Sequence, residues 1–300
     1  LFRSGAFIGC TSLAEIVIPD SVTKIGVSAF LGCTSLSKVD LPKNLTTIES
    51  YTFSDCTSLA EITIPDSVTE IGWSAFSGCT SLTEITIPDS VTAIGGSAFS
   101  GCTSLSKVKL SNNLTKIEAR TFRDCTSLAE ITIPDSVTSI GGAFSGCTSL
   151  AEITIPDSVT EIGESTFFGC TSLAKVKLSN NLTKIEAETF SGCTSLKEIV
   201  IPDSVTEIRG MCYSSGYDGD YDGGAFSGCT SLAEIDIPDS VTSIGGSVFS
   251  NCTSLESITI GSGVESLGDE WIASCRRLEN ITVSPENKTY SSVDGVLFNK

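Results

Sequence analysis

Cysteine recurs along this chain with a period of 23 residues. Cys10, Cys33, Cys56, Cys79, Cys102 and Cys125 are evenly spaced, Cys147 follows after 22, and Cys170 and Cys193 again after 23. Cys229 comes after 36, then Cys252 and Cys275 after 23 each. A fixed period of this length is the mark of a solenoid, propeller or array, and it outranks any local motif. With cysteine as position 1, the unit is clearest from Cys56 to Gly78, CTSLAEITIPDSVTEIGWSAFSG. Leu59, Ile62, Ile64, Pro65, Val68, Ile71, Ala75 and Phe76 then hold positions 4, 7, 9, 10, 13, 16, 20 and 21.

The unit predicts one coil. Ile62 and Ile64 alternate with Glu61 and Thr63, the two-residue period of a half-buried strand. Pro65 lacks a backbone donor and ends that ladder, and Asp66-Ser67 supplies turn chemistry. Val68 and Ile71 form a second apolar pair, on a short strand or an extended turn. Ala75 to Gly78 reads as a tight turn or a single 3₁₀ turn. One coil has too few apolar side chains to offset the entropy of ordering its backbone, so stability must come from stacking.

Stacking gives each position a shared environment. The phenylalanines at position 21, Phe30 through Phe249, fall in the core, and twelve of the thirteen cysteines form an inward row. Neighbouring thiols on strands about 4.8 Å apart are too far for a disulfide, which wants Cβ atoms near ~3.8 Å. They are expected to be buried thiols packing as small hydrophobes. A straight row also cannot surround a tetrahedral zinc ion.

Two flavours of coil alternate. Most read I-P-D-S-V-T-x-I-G, but LPKNLTTIES after Cys33 and LSNNLTKIEA after Cys102 and Cys170 recur every third coil. Their position 6 is Lys38, Lys107 or Lys175, each between glutamates of neighbouring coils, and Lys109 and Lys177 hold position 8. This outward row either secures register and solubility or forms a mixed-charge face that recognises a partner. Trp73, at variable position 18, is an exposed aromatic candidate, as are Tyr51 and Phe168.

The pattern L-x-x-I-x-I, P-x-x-V-x-x-I and A-F-x-x-C, carried by Leu59, Ile62, Ile64, Pro65, Val68, Ile71, Ala75, Phe76 and Cys79, resembles the leucine-rich repeats of BspA-like surface proteins over about residues 5–283. The resemblance implies a β-rich right-handed solenoid, a leucine-rich repeat array with a parallel sheet on one face and short turns or 3₁₀ pieces elsewhere. It also implies a non-enzymatic cell-surface or secreted protein used in adhesion, contacting a protein ligand such as a host surface or matrix protein, as a monomer. An intracellular structural scaffold is the alternative that unpaired thiols allow.

One solenoid of about 12 coils is expected over 1–283, with a hairpin, a cap or the start of a further segment over 284–300, where Asp294-Gly295 separates short apolar runs. Thirteen residues inserted after Gly210, Met211–Gly223, keep the frame, since Gly224-Ala225-Phe226 resumes positions 19 to 21. Asp218, Asp220 and Asp222 before Gly223 match half of a calcium loop, but Cys229 stands where its bidentate glutamate belongs. Calcium binding, protein contact through Tyr213, Tyr217 and Tyr221, and a neutral insertion stay open for this loop. Cys212 is the one cysteine off the row.

The net charge of -18, from 18 basic and 36 acidic residues, argues against nucleic acid and anionic lipid. No apolar run has membrane length, so no membrane insertion is expected. Leu1 stands inside a coil with no leader or anchor, as in a piece of a longer chain. The chain has no histidine, which removes Ser-His-Asp, Cys-His and His-metal chemistry, and its acid pairs repeat in coil after coil, unlike a single active site. No enzyme and no cofactor are expected, calcium apart. Six N-x-[ST] sequons lie at Asn44, Asn113, Asn181, Asn251, Asn280 and Asn287.

Overall fold

The computed structural model describes residues 2–210 and 223–300. It divides into two compact units, Leu1–Leu150 and Ala151–Lys300. Each is a parallel β-solenoid, and the described residues contain no helix of any kind, 3₁₀ included.

Three sides make up a coil. Positions 6 to 8 form the first strand, and their middle residue points inward because side chains alternate along a strand. In the first unit Glu15–Val17 pairs in parallel with Lys38–Asp40, and Glu84–Thr86 with Lys107–Lys109. In the second unit Glu152–Thr154 pairs with Lys175–Lys177, and Glu234–Ile237, Ser257–Ile260 and Asn280–Val283 form a three-stranded sheet. Position 6 meets position 6 in every pair, so Glu15 faces Lys38 and Glu84 faces Lys107.

The second side is a short strand at positions 15 and 16. Thr47–Ile48, Glu70–Ile71 and Ala93–Ile94 form one parallel sheet in the first unit. Lys184–Ile185, Glu207–Ile208, Ser243–Ile244 and Ser266–Leu267 form another in the second. Of the two readings open for Val68–Ile71, the strand is realised at Glu70–Ile71.

The third side is a run of turns, hydrogen-bonded alternately within the coil and to the next one. Cys33 N donates to Phe30 O at 3.1 Å, while Phe30 N donates to Thr52 O at 2.9 Å. Positions 19 and 23 take left-handed backbone, as at Ser97 (φ 58°) and Gly101 (φ 72°). The residue missing near Gly142 is the one at position 19, and Arg120 N to Gly142 O (2.8 Å) keeps the ladder.

The core is periodic because the sequence is. Phe30, Phe53, Phe76, Phe99 and Phe122 are fully buried, with successive ring centroids 5.3–5.6 Å apart and nearly parallel planes. Phe167, Phe190, Phe226 and Phe249 repeat this in the second unit, where Trp271 meets Phe249 edge-on at 6.3 Å. Offset stacking of this kind suits the ring quadrupole. The twelve described cysteines are thiols, not disulfides. Each of those from Cys33 to Cys125 is buried and directs its Sγ at the carbonyl of the phenylalanine one turn back, 3.0–3.2 Å away. At the chain's end, Tyr290–Val293 and Val296–Asn299 form an antiparallel hairpin about Asp294-Gly295.

Candidate functional site: two grooves in the strand face

The three-coil rhythm of the sequence reappears as gaps in the first-side sheet. Glu61–Thr63 occupies positions 6 to 8 of its coil but forms no strand, and neither do Glu130–Thr132 and Glu198–Val200. Each lies one coil after a Lys-Val-Asp-Leu or Lys-Val-Lys-Leu coil. The strands Lys38–Asp40 and Glu84–Thr86 therefore end their sheets on either side of Glu61–Thr63. Lys175–Lys177 and Glu234–Ile237 do so about Glu198–Val200.

The gap coils differ in how their turns are held. Ser67 Oγ donates to Leu45 O (2.7 Å), Ser136 Oγ to Leu114 O (2.6 Å) and Ser204 Oγ to Leu182 O (2.7 Å). In the next coil of each block the equivalent hydroxyls of Ser90, Ser158 and Ser240 have no partner. The gap coil is thus pinned by its turn to the variant coil, while the strand positions beside that turn are not laddered.

A groove opens at two of these gaps, of about 480 Å³ in the first unit and about 460 Å³ in the second. They use equivalent positions. Lys38, Val39, Glu61, Ile62, Asp66 and Glu84 line the first; Lys175, Val176, Glu198, Ile199, Asp203 and Glu234 stand in their places in the second. At position 63 the first groove has an exposed threonine. Its counterpart Val200 is 81% exposed, an apolar side chain standing in water.

Of the lysines expected to matter, Lys175 lines a groove. Lys107 reaches Glu84, a groove residue, at 3.8 Å, a pair too exposed to contribute much. Lys109 and Lys177 are exposed on the strand face. Each helps hold a neighbouring aspartate's pKa below the ordinary carboxylate value, though hydrogen bonds from Asn112 to Asp89 and from Asn180 to Asp157 do more. Trp73 lies away from the grooves on the turn side, 60% exposed, its ring close over Gly96. Tyr51, also exposed, donates its N–H to Trp73 O at 2.9 Å, and Phe168 is half-buried.

Tyr213, Tyr217 and Tyr221, the carboxylates Asp218, Asp220 and Asp222, and Cys212 lie outside the described residues. The base of that insertion is described. Ala225 N donates to Arg209 O at 3.1 Å, the bond that Ala75 N makes to Gly72 O in an ordinary coil. Beside it Arg209 pairs with Glu186 and Glu207 at 3.0 and 3.1 Å. Among the described residues no three carboxylates, thiols or imidazoles gather as metal ligands, and no helix is long and apolar enough to cross a membrane.

The buried thiols are chemically quiet, whereas Cys10, expected in the inward row, is exposed. Burial pushes Cys56 and Cys229 up to about 12, and Cys79, Cys102, Cys125 and Cys193 well above the ordinary thiol value. Of the sequons, Asn287 is buried and donates from Nδ2 to Gly261 O (2.9 Å) and Val264 O (3.0 Å), which commits both amide hydrogens to the fold.

Periodicity alone does not locate the grooves. The one signal of them in the sequence is the recurrence of the variant coil every third coil. Glu61, Glu198, Asp66 and Asp203 look like every other position-6 glutamate and position-11 aspartate until the sheet opens beside them.

The model of the BspA type leucine-rich repeat region matches residues 2–128, 94–217 and 222–295, in six copies. Among solved structures, the chain is similar to a leucine-rich repeat protein from Bacteroides ovatus, with 32% identity over 94% of this chain and 82% of that one and a TM-score of 0.59. A leucine-rich cell surface protein from Faecalibacterium prausnitzii is also 32% identical, over 87% of this chain and 82% of that one, with a TM-score of 0.47. The pneumococcal vaccine antigen PcpA shares the fold at 22% identity, covering 92% and 70% of the two chains with a TM-score of 0.53. No curated protein matches the chain.

Proposed function

Because the chain belongs to the BspA-type leucine-rich repeat family, we propose that it is a non-enzymatic binding protein, displayed on a cell surface or secreted, that holds protein ligands against its strand face. The observation that carries this is the first-side face of each unit. It presents an outward row rich in Glu, Lys and Thr, and in each unit it opens into a groove lined by equivalent positions. Such a face supports recognition by many small contacts on a rigid scaffold, and among the described residues no concentrated set of nucleophile, base and oxyanion donors supports catalysis.

The thiols are what favour an intracellular scaffold as the second reading. Their burial weakens that argument. Oxidation and exchange proceed through the thiolate, and a thiol whose pKa stands near 12, as at Cys56, has almost none at neutral pH, so the buried thiols are compatible with an oxidising compartment as well as a reducing one.

Labelling of intact source cells with an antibody to the folded chain tests the location. Signal without permeabilisation is the expected result, and signal only after it moves the protein to the interior. Capture of partner proteins by the intact chain and by a chain lacking 211–223 tests the site. Equal capture places recognition on the strand face, and capture lost with the deletion moves it to the insertion.

A further inference from the structure

The two grooves are built alike in units that share no residue, so what they have in common describes an occupant. Each rim carries one lysine against four carboxylates. Lys38 stands with Asp40, Glu61, Asp66 and Glu84 in the first, and Lys175 with Glu198, Asp203, Glu234 and Asp236 in the second. Each floor is aliphatic, with Val39, Ile62 and Ile64 in one and Val176, Ile199 and Ile201 in the other. A sheet ends on both sides of each groove. Backbone groups of a parallel strand point alternately to its two sides, so every bordering strand directs part of its N–H and C=O groups toward the groove.

These three features call for the same ligand. An extended polypeptide adds its backbone to an open strand edge. Its two-residue period sends alternate side chains outward, where the carboxylates are, and the others inward to the aliphatic floor. Lysine or arginine at the outward positions meets opposite charge, and its methylene stem covers exposed aliphatic surface such as Val200. An acidic segment would meet four like charges, and a neutral sugar would leave them uncompensated. We infer that each groove docks an extended segment of a partner protein that carries Lys or Arg at alternate positions with small aliphatic residues between them. This rests on the reading of the strand face as the binding surface, and specifies the partner's chemistry there.

The probe is a fluorescein-labelled heptapeptide, Lys-Val-Lys-Val-Lys-Val-Lys, titrated into the full chain by anisotropy, with stoichiometry from calorimetry. Position 63 and position 200 are exposed, so Thr63→Arg and Val200→Arg block a groove without touching the core, which circular dichroism verifies. Each variant is expected to remove one equivalent of bound peptide, and the pair two. Glu118→Gln with Glu164→Gln removes two exposed charges away from the grooves and should leave the titration unchanged. N-methylation at alternate peptide residues should weaken binding about tenfold by deleting strand hydrogen bonds. The inference is overturned if the blocked variants bind as before, if the distant charge variants lose as much, if N-methylation has no effect, or if a Glu-Val heptapeptide binds equally. Capture of a protein partner that survives the double block would sink the grooves and leave the strand-face reading standing.

Discussion

At the scale of single residues, a position in this chain has one job, repeated. Position 1 is a thiol packed as a hydrophobe, and its protonation is part of the fold. An unfolded thiol ionises near ~8.5, while burial holds Cys56 and Cys229 at about 12. The folded state therefore binds a proton that the unfolded state releases between those values. Stability is flat below pH 8 and falls as pH climbs from about 9 toward 12, by about 1.4 kcal/mol per pH unit for each buried thiol. Melting temperatures measured from pH 7 to 11 should show a steep alkaline fall, and Cys56→Ala should make it shallower; a flat profile would mean that the thiols ionise in place. Position 23 is a backbone job. Gly32, Gly78 and Gly101 hold φ near 72°, and Asp55 occupies the same place at 58°. Left-handed backbone strains a residue with a Cβ, so Asp55→Gly should raise the unfolding free energy from a urea titration by about 0.5–1 kcal/mol, and Gly101→Ala should lower it by a similar amount.

At the scale of the coil, stacking decides what a change costs. Phe76 lies between Phe53 and Phe99, 5.5 and 5.3 Å away. Phe76→Ala should cost about 3–5 kcal/mol in a denaturation series, because it opens a cavity facing two neighbours. The insertion should behave oppositely. Removing 211–223 joins Gly210 to Gly224 and restores the 23-residue spacing from Cys193 to Cys229, and the bond from Ala225 to Arg209 already closes that turn. The deletion should leave stability within about 0.5 kcal/mol; a larger loss would show that the insertion packs on the coil. The same logic explains what could be read in advance. Phe, Cys and Ile positions were legible because each does in its coil what its copies do in theirs. The grooves were not, because a gap is a relation between coils. It turns on whether Ser67 bonds back to Leu45, and nothing within the gap coil distinguishes its IPDSV from the next one.

At the scale of the whole chain, charge is the dominant unbalanced quantity, 36 acidic groups against 18 basic ones. Two effects of salt compete. Screening weakens ion pairs such as Lys184–Glu207 at 3.0 Å, which lowers stability, and it weakens repulsion among the excess carboxylates, which raises it. Exposed pairs contribute little, and acidic groups outnumber basic ones two to one, so repulsion should win. The melting temperature should rise by about 5 °C between 20 and 500 mM NaCl, as repulsion is screened over a Debye length that shrinks from about 20 to 4 Å. The Lys-Val heptapeptide gives the converse. Seated beside four carboxylates it relieves local repulsion, so at 20 mM NaCl it should raise the melting temperature, and at 500 mM that increment should vanish while the protein alone is more stable. If the melting temperature instead falls with added salt, paired charges outweigh repulsion across the molecule, and the electrostatic case for a basic occupant of the grooves falls with it.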